Sequence, residues 1–404
     1  MKKQKLLTHA IVIFLLLNIL IINGCSSLPP LHSAAEKNNL SKADKIIQKG
    51  KTDINSITKD GQTALHCAAR QGNLEMAKLL HQAGADLNKP TAHSWTPLME
   101  AAYYGQYEVT EWLVNQGCNV IRKTNKGASA LYMACCYKYD RIVDMLIPRS
   151  RSILDDTTDG GFTSLLAACE DTYEDTPLAM LKPEMKITKE EYLQKQKTIV
   201  ETLLAAKIDV NIQTDLGTTA LHHAINNLDA PTIIESLLAN GASLQKRNNS
   251  GYLPIHTAAQ KGNASIFECL IQNKATIEPL EASNEITGRT YHMYADYLEK
   301  GSTPKQNQQY YTMAIHEYEV EIEKNKAMAA SLGKKIFNLR LKKFAADLAM
   351  AALAAAASSH SSTHNYYYIP GHLDLSSLKQ RKKNCEKTIS RCEQWLEECK
   401  SKKI

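Results

Sequence analysis

No H-E-x-x-H, G-x-S-x-G, P-loop or C-x-x-C pattern occurs in this sequence. Metal-assisted hydrolysis, nucleophile-elbow chemistry, nucleotide binding by a phosphate loop and dithiol exchange therefore lack the residues they need. No enzyme activity and no cofactor is expected. Aromatic residues are scarce at 6%, with 5 Phe and 3 Trp, while alanine-rich stretches recur, a balance that leans helical. An excess of one charge is missing too. The formal net charge is +6, and three of those positives are Lys2, Lys3 and Lys5. The remainder carries about +3, which excludes a general nucleic-acid binder, since that needs a strong basic footprint. What remains is an ordinary folded composition, 44% hydrophobic and 22% charged, in a chain long enough for two domains or one long solenoid.

The N-terminus pairs the three lysines with an apolar run from Leu6 to Ile22, broken by Thr8, His9 and Asn18, and ends Ile22-Asn23-Gly24-Cys25-Ser26. A positive n-region, an apolar core and a small residue before a cut site describe a secretory signal. The ending resembles the lipobox of bacterial lipoproteins, with Asn23 a less usual residue at its place. The resemblance implies a signal peptide over 1–24, acylation of Cys25, and, because Ser26 follows, an outer-membrane location facing the periplasm. The membrane would then be a partner through the lipid anchor. An uncleaved transmembrane anchor is the alternative, since the run is about long enough to span.

A period dominates the rest. Leu31, Leu65, Leu98, Leu131, Leu165, Leu221 and Ile255 head similar phrases, with successive spacings of 34, 33, 33, 34, 56 and 34. The long gap holds a 23-residue excess. The phrases include Gly61-Gln62-Thr63-Ala64-Leu65-His66-Cys67-Ala68-Ala69, Thr96-Pro97-Leu98-Met99-Glu100-Ala101-Ala102, and Pro254-Ile255-His256-Thr257-Ala258-Ala259. A period near 33 with T-P-L-H-x-A resembles the ankyrin family. The resemblance implies an all-α ankyrin-repeat solenoid of about seven helix-pair units, with the repeat domain over 25–277. Each unit cannot bury its apolar face alone, so the stack is the folding unit. Gly84, Gly117 and Gly241 follow second helices, where a left-handed cap favours glycine. His32, His66, His222 and His256 occupy the TPLH position and read as structural. The fourth unit departs from the pattern with Lys138 in place of Gly and a second helix running into Pro148. The first lacks a preceding turn and reads as a cap.

The excess forms an insertion near 172–196. It holds Pro177 and Pro183 and then a helix-like stretch, Thr188 to Leu193, that extends the unit's second helix. It reads equally as part of a binding face or as a tolerated surface excursion. From 278 to 404 the repeat pattern gives way to an α-helical region. Tyr311, Ile315, Tyr318 and Ile322 are spaced 4, 3 and 4, and Leu332, Ile336 and Leu339 continue the phase past Asn325 and Ala329. This is a coiled-coil-like stripe. The Tyr-rich opening faintly resembles one tetratricopeptide unit. A last helix from about Leu375 to Lys400 completes a helical hairpin. Leu378, Cys385, Cys392 and Cys399, each seven apart, form a narrow seam on it. That seam either packs on the preceding helix or forms a parallel homodimer.

Other cysteines, Cys67, Cys135, Cys136, Cys169 and Cys269, fall at small-residue positions and read as small apolar residues rather than disulfides. Unpaired thiols sit awkwardly in an oxidising periplasm. His360, His364 and His372 lie in a Ser-rich stretch, where ligand spacing without a helix carries little weight, so no metal site is assigned. The ankyrin resemblance implies a protein partner whose identity no residue gives. In that family, turn tips and the exposed face of first helices make the binding surface. Transferred to units three to five, those positions are His93, Trp95, Tyr103, Tyr104, Tyr137, Phe162, Glu170 and Asp171. The rings either meet the partner or pack between repeats. The function expected is a lipid-anchored, non-enzymatic interaction scaffold at the bacterial cell envelope. The alternative is an effector of a host-associated bacterium acting on host proteins.

Overall fold

The register leucines set the architecture. In the computed structural model, Leu31, Leu65, Leu98, Leu131, Leu165, Leu221 and Ile255 are each no more than 1% exposed, and each lies in the first helix of an antiparallel pair. The structure describes residues 28–172, 187–227, 231–278, 284–300, 304–357 and 375–402. Cys25 and the leader lie outside the described residues, as do residues 173–186 of the insertion and His360, His364 and His372. The described residues are mostly helical. They form no strand, only a single bridge between Lys123 and Ser129.

The residues up to Asn249 form one compact unit of six pairs: α1 (Pro30–Glu36) with α2 (Leu40–Gln48), α3 (Ala64–Gln71) with α4 (Leu74–Gln82), α5 (Pro97–Tyr103) with α6 (Tyr107–Asn115), α7 (Ala130–Cys136) with α8 (Asp140–Leu146), α9 (Ser164–Ala168) with α10 (Lys189–Ala205), and α11 (Ala220–Asn227) with α12 (Pro231–Ala239). Short polar side chains start the first helices. Thr96, Ser129 and Thr163 accept from the amides of Met99, Tyr132 and Leu166 at 3.1–3.3 Å, filling a donor the helix end leaves open. Ala68, Ala69, Ala101, Ala102, Ala134, Ala167 and Ala168 are buried where neighbouring first helices meet. Pro148 falls in a short 3-10 turn, Ile147–Arg149, that continues α8.

The insertion's helix-like stretch is the start of α10. Thr188 and Glu191 form a reciprocal capping box there. This 17-residue helix is the second helix of the fifth pair, lengthened at its N-terminus. Tyr192, fully buried, receives the Thr172 amide on its hydroxyl at 2.8 Å. Gln196 Nε2 donates to the carbonyls of Ala168 and Glu170 at 2.8 and 3.1 Å. The bond to Ala168 satisfies the last carbonyl of the five-residue α9.

The residues from Ser250 form a second compact unit. It holds the seventh pair, α13 (Pro254–Lys261) and α14 (Ala264–Gln272), then α15 (Asn284–Lys300), the long α16 (Pro304–Ala357) and α17 (Leu375–Lys402). The Tyr-rich stripe is a core seam. Tyr311, Ala314, Tyr318 and Ile322 pack with Tyr291 and Ala295 of α15 and with Cys392, Leu396 and Cys399 of α17. A second cluster joins Ala329 and Leu332 to Cys385, with Leu378 against it. The cysteine seam is therefore occupied by the chain's own α16, which is the hairpin alternative. Asn325 is buried in the stripe without being stranded, because its amide donates to the Glu321 carbonyl and carboxylate at 2.9 and 2.7 Å. Among the described residues no helix is long and apolar enough to cross a membrane.

Candidate partner-binding face

Between successive pairs of the first unit the chain makes the same tight turn five times. It begins at Thr58, Thr91, Thr124, Thr158 and Thr214. In each, the threonine amide donates to the carbonyl four residues on, at 2.8–2.9 Å in four cases and 3.0 Å at Thr158. The amide three residues on donates back to the threonine carbonyl. The threonine Oγ1 accepts from the amide four residues on at 3.1–3.3 Å. The third residue after the threonine has positive φ and is glycine except at Ser94. At Gly161 the reason is contact as well as conformation: a Cβ there would lie 2.7 Å from Thr214 Cα, in the next turn.

Neighbouring turns are joined at their tips. The amides of Ala92, Asn125, Asp159, Asp215 and Asn249 donate to the carbonyls of Asp60, His93, Lys126, Gly160 and Leu216 at 2.9–3.3 Å. One backbone hydrogen bond per repeat thus fixes a row of exposed tips, including Asp60, His93, Lys126, Asp159 and Asp215. The TPLH histidines brace the row from below. The Thr63 amide donates to His66 Nδ1 at 3.2 Å, so Nε2 carries the proton and donates to the Trp95 carbonyl at 3.1 Å. His32 makes the same reach to the Gln62 carbonyl at 2.9 Å. Burial lowers the pKa of both, which keeps them neutral.

The sequence-derived residues fall into two clusters. Trp95, Tyr103, Tyr104 and Tyr137 come together. Trp95 and Tyr103 meet edge to face at 5.3 Å, Tyr103 and Tyr104 at 4.9 Å, and Tyr103 and Tyr137 at 5.0 Å. Tyr103, Tyr104 and Tyr137 are buried, so these three rings pack between repeats, one of the two readings their spacing left open. Burial pushes the Tyr104 and Tyr137 hydroxyls far above the ordinary phenol range, so both stay protonated. Trp95 is half-buried above them and His93 is exposed at the adjoining tip.

Phe162, Glu170 and Asp171 lie two repeats along. Phe162, half-buried, meets the His223 ring at 5.4 Å. Glu170 pairs with His223 Nδ1, and His223 Nε2 lies 2.9 Å from Thr218 Oγ1. Asp171, exposed, pairs with Lys189 of α10 at 2.9 Å. Asp171 is thus neutralised within the chain, and both carboxylates are held in fixed directions by these contacts.

Three buried residues that pattern-reading did not place among these tie neighbouring repeats together. Arg70 and Glu100 form a two-point ion pair between α3 and α5, both contacts 3.3 Å and both side chains 6% exposed. Lys138 takes the glycine place after α7 with φ +62°. Its buried Nζ donates to the carbonyls of Cys136 and Ala167 at 2.8 and 3.0 Å and lies 5.7 Å from the centre of the Tyr192 ring. The only trace of this in the sequence is a lysine where glycine is usual.

A family model described as ankyrin repeats (3 copies) matches residues 31–124 and 192–281. The interval between them holds the fourth pair, with Lys138, and the first helix of the interrupted fifth. A Dictyostelium discoideum protein named as a serine/threonine-protein kinase is 29% identical over 103 residues, 25% of this chain and 12% of that protein. The tyrosine-protein kinase Shark of Drosophila melanogaster is 34% identical over 94 residues, 23% of this chain and 10% of its own length. A protein of Acanthamoeba polyphaga mimivirus named for its ankyrin repeats, L271, is 33% identical over 92 residues, 22% of this chain and 12% of that protein. The chain therefore spans only about a tenth of each relative, and the kinase matches fall on the repeats alone. Among solved structures, the human ASB11 ankyrin repeat domain aligns with a TM-score of 0.49 at 25% identity, covering 62% of this chain and 99% of that domain. Residues 31–124 and 192–281 of this chain are ankyrin repeats.

Proposed function

We propose that this chain is a non-catalytic scaffold that binds a protein along the turn-tip edge of its third to fifth repeats, and that a lipid on Cys25 holds it at the bacterial cell envelope. The observation that carries the binding role is the fixing of Trp95 at both ends. Its carbonyl accepts from His66, its amide donates to Thr91 Oγ1 at 3.1 Å, and its ring rests on Tyr103. An aromatic side chain already held in one place loses little entropy on contact with a partner, and interface hot spots favour Trp. His93, Phe162, Glu170 and Asp171 flank it on the same run of repeats, while Tyr103, Tyr104 and Tyr137 serve as the packed floor. The support for the anchor is the leader itself, Lys2 to Cys25. Only Ser26 to Pro29 would separate the lipid from α1.

A second reading has one observation in its favour. Nine cysteines among the described residues are unbridged, which suits a reducing compartment better than the periplasm. An effector released to act on host proteins would meet that condition.

Two measurements test the proposal. A fatty-acid probe should label the wild-type chain in bacterial membranes and leave Cys25→Ala unlabelled; equal labelling of both would rule out the anchor, and an unlabelled, released chain favours the effector. The double variant His93→Asp, Trp95→Ala should lose a protein captured by the wild type from native membranes while keeping its melting temperature. Unchanged capture would remove this edge as the binding surface.

A further inference from the structure

In the second unit, α15 presents His292 and Asp296 on one face, four residues apart, and the last turns of α17 bring Glu398 to them. His292 Nε2 lies 3.9 Å from Asp296 Oδ2 and 3.8 Å from Glu398 Oε1, and ligand atoms of all three lie within 4.8 Å of one another. The His292 side chain is 8% exposed, and its Nε2 has no hydrogen-bond partner. A buried ring nitrogen therefore points into a gap bounded by two carboxylate oxygens, all too far apart to bond to each other. Buried polar atoms in folded proteins are almost always satisfied, so the gap calls for an occupant.

We propose that His292, Asp296 and Glu398 bind a divalent transition-metal cation of the zinc class, which fastens α15 to α17. An imidazole nitrogen with carboxylate oxygens suits such ions better than magnesium or calcium, which take oxygen ligands. Zinc stands about 2.0–2.2 Å from nitrogen and oxygen ligands, so tetrahedral ligand atoms stand about 3.3–3.6 Å apart. The present spacing needs only a small inward turn of the two carboxylates, both of which are partly exposed. A water would complete the fourth position.

The surroundings already orient the three ligands. Tyr311 donates its hydroxyl proton to Asp296 Oδ1, and Lys402 Nζ donates to the same oxygen at 2.9 Å. That leaves Oδ2 turned toward His292. Tyr318 Oη lies 3.4 Å from His292 Nδ1, and the Tyr311 and Tyr318 rings meet the imidazole edge to face at 5.9 and 6.3 Å. Such outer partners fix tautomer and direction at metal sites. Lys402 Nζ, 3.6 Å from Glu398 Oε1 and one-third exposed, is the competing cation and has room to swing aside.

The test uses the full chain, stripped with chelator and titrated with zinc chloride against a chromophoric competitor, with cobalt absorption as a geometric readout. The wild type should bind one ion tightly and melt at a higher temperature with zinc than without. Glu398→Gln, at a partly exposed position, keeps the fold and should weaken binding by at least about 100-fold, and Tyr318→Phe by about 10–100-fold. The triple variant His360→Ala, His364→Ala, His372→Ala separates this site from those three histidines and should bind as the wild type does. No zinc binding by the wild type, or binding lost in the triple variant and kept in Glu398→Gln, would overturn the proposal.

Discussion

The Arg70–Glu100 pair gives the sharpest handle on what holds the proposed binding edge in place. It joins the second and third repeats directly beneath the aromatic cluster, with the Arg70 guanidinium carbon 6.0 Å from the centre of the Tyr104 ring. Two unit charges 3.3 Å apart attract by about 5 kcal/mol at an effective dielectric of about 20. Withdrawing both ions from water costs several kcal/mol each, so the pair is near balance as a pair and costly when halved. Arg70→Met strands the Glu100 carboxylate, and Glu100→Leu strands the guanidinium. Each should cost about 3–5 kcal/mol. Arg70→Met with Glu100→Leu removes both charges and fills the space with apolar atoms, so it should cost less than either single change. The backbone is unaffected, since the bond from Gln106 Nε2 runs to the Arg70 carbonyl at 2.8 Å. Urea unfolding followed by Trp95 and Trp112 fluorescence reads the local repeats. A double variant that loses the sum of the two single losses, or single losses under about 1 kcal/mol, would refute a coupled buried pair.

Three further outcomes are expected. Leu131→Ala, at a fully buried register position, should lower stability by about 2–5 kcal/mol in the same urea assay; a loss under about half a kcal/mol would place it outside the core. His32 and His66 are held neutral, with folded pKa values below 6.5. The unfolded chain then takes up more protons, so the stability they contribute is present above about pH 6.5 and declines as pH falls below it; melting curves from pH 8 to 5 should fall, and His66→Gln should flatten the decline. Burial raises the thiols of Cys392 and Cys399 to about 12, and Cys385 is buried out of a reagent's reach, so all three should resist alkylation until the chain unfolds. A reducible dimer band on non-reducing gels, lost in the triple Ser variant, would instead support the homodimer through this seam.

The parts of this fold visible in the sequence are those that repeat or obey a local rule. Leu65, Leu98 and Leu131 announce a period because each unit buries the same atom set against the next. Thr188 and Glu191 announce a helix start because capping is a contact over three residues. The cysteine seam is legible for the same reason, as a seven-residue spacing on one helix. Facing direction is less legible. Tyr103, Tyr104 and Trp95 are all aromatic and adjacent to turns, yet two lie under the surface and one on it, a difference set by the neighbouring repeat. Lys138 is visible as an exception, but its partners, Ala167 and Tyr192, come from beyond the next turn. The His292, Asp296 and Glu398 cluster has no sequence signature, because its last member stands over a hundred residues from the first.

The claim that turn tips of the third to fifth repeats carry the partner is tested most directly by site-specific photo-cross-linking in living cells. A photoreactive amino acid is placed at His93 or Asp159, both exposed turn tips on the proposed edge, and at Glu108, exposed on the second helix of the third repeat. The same single protein adduct from His93 and Asp159, with none from Glu108, is the expected result. An adduct from Glu108 with none from either tip position would contradict the account.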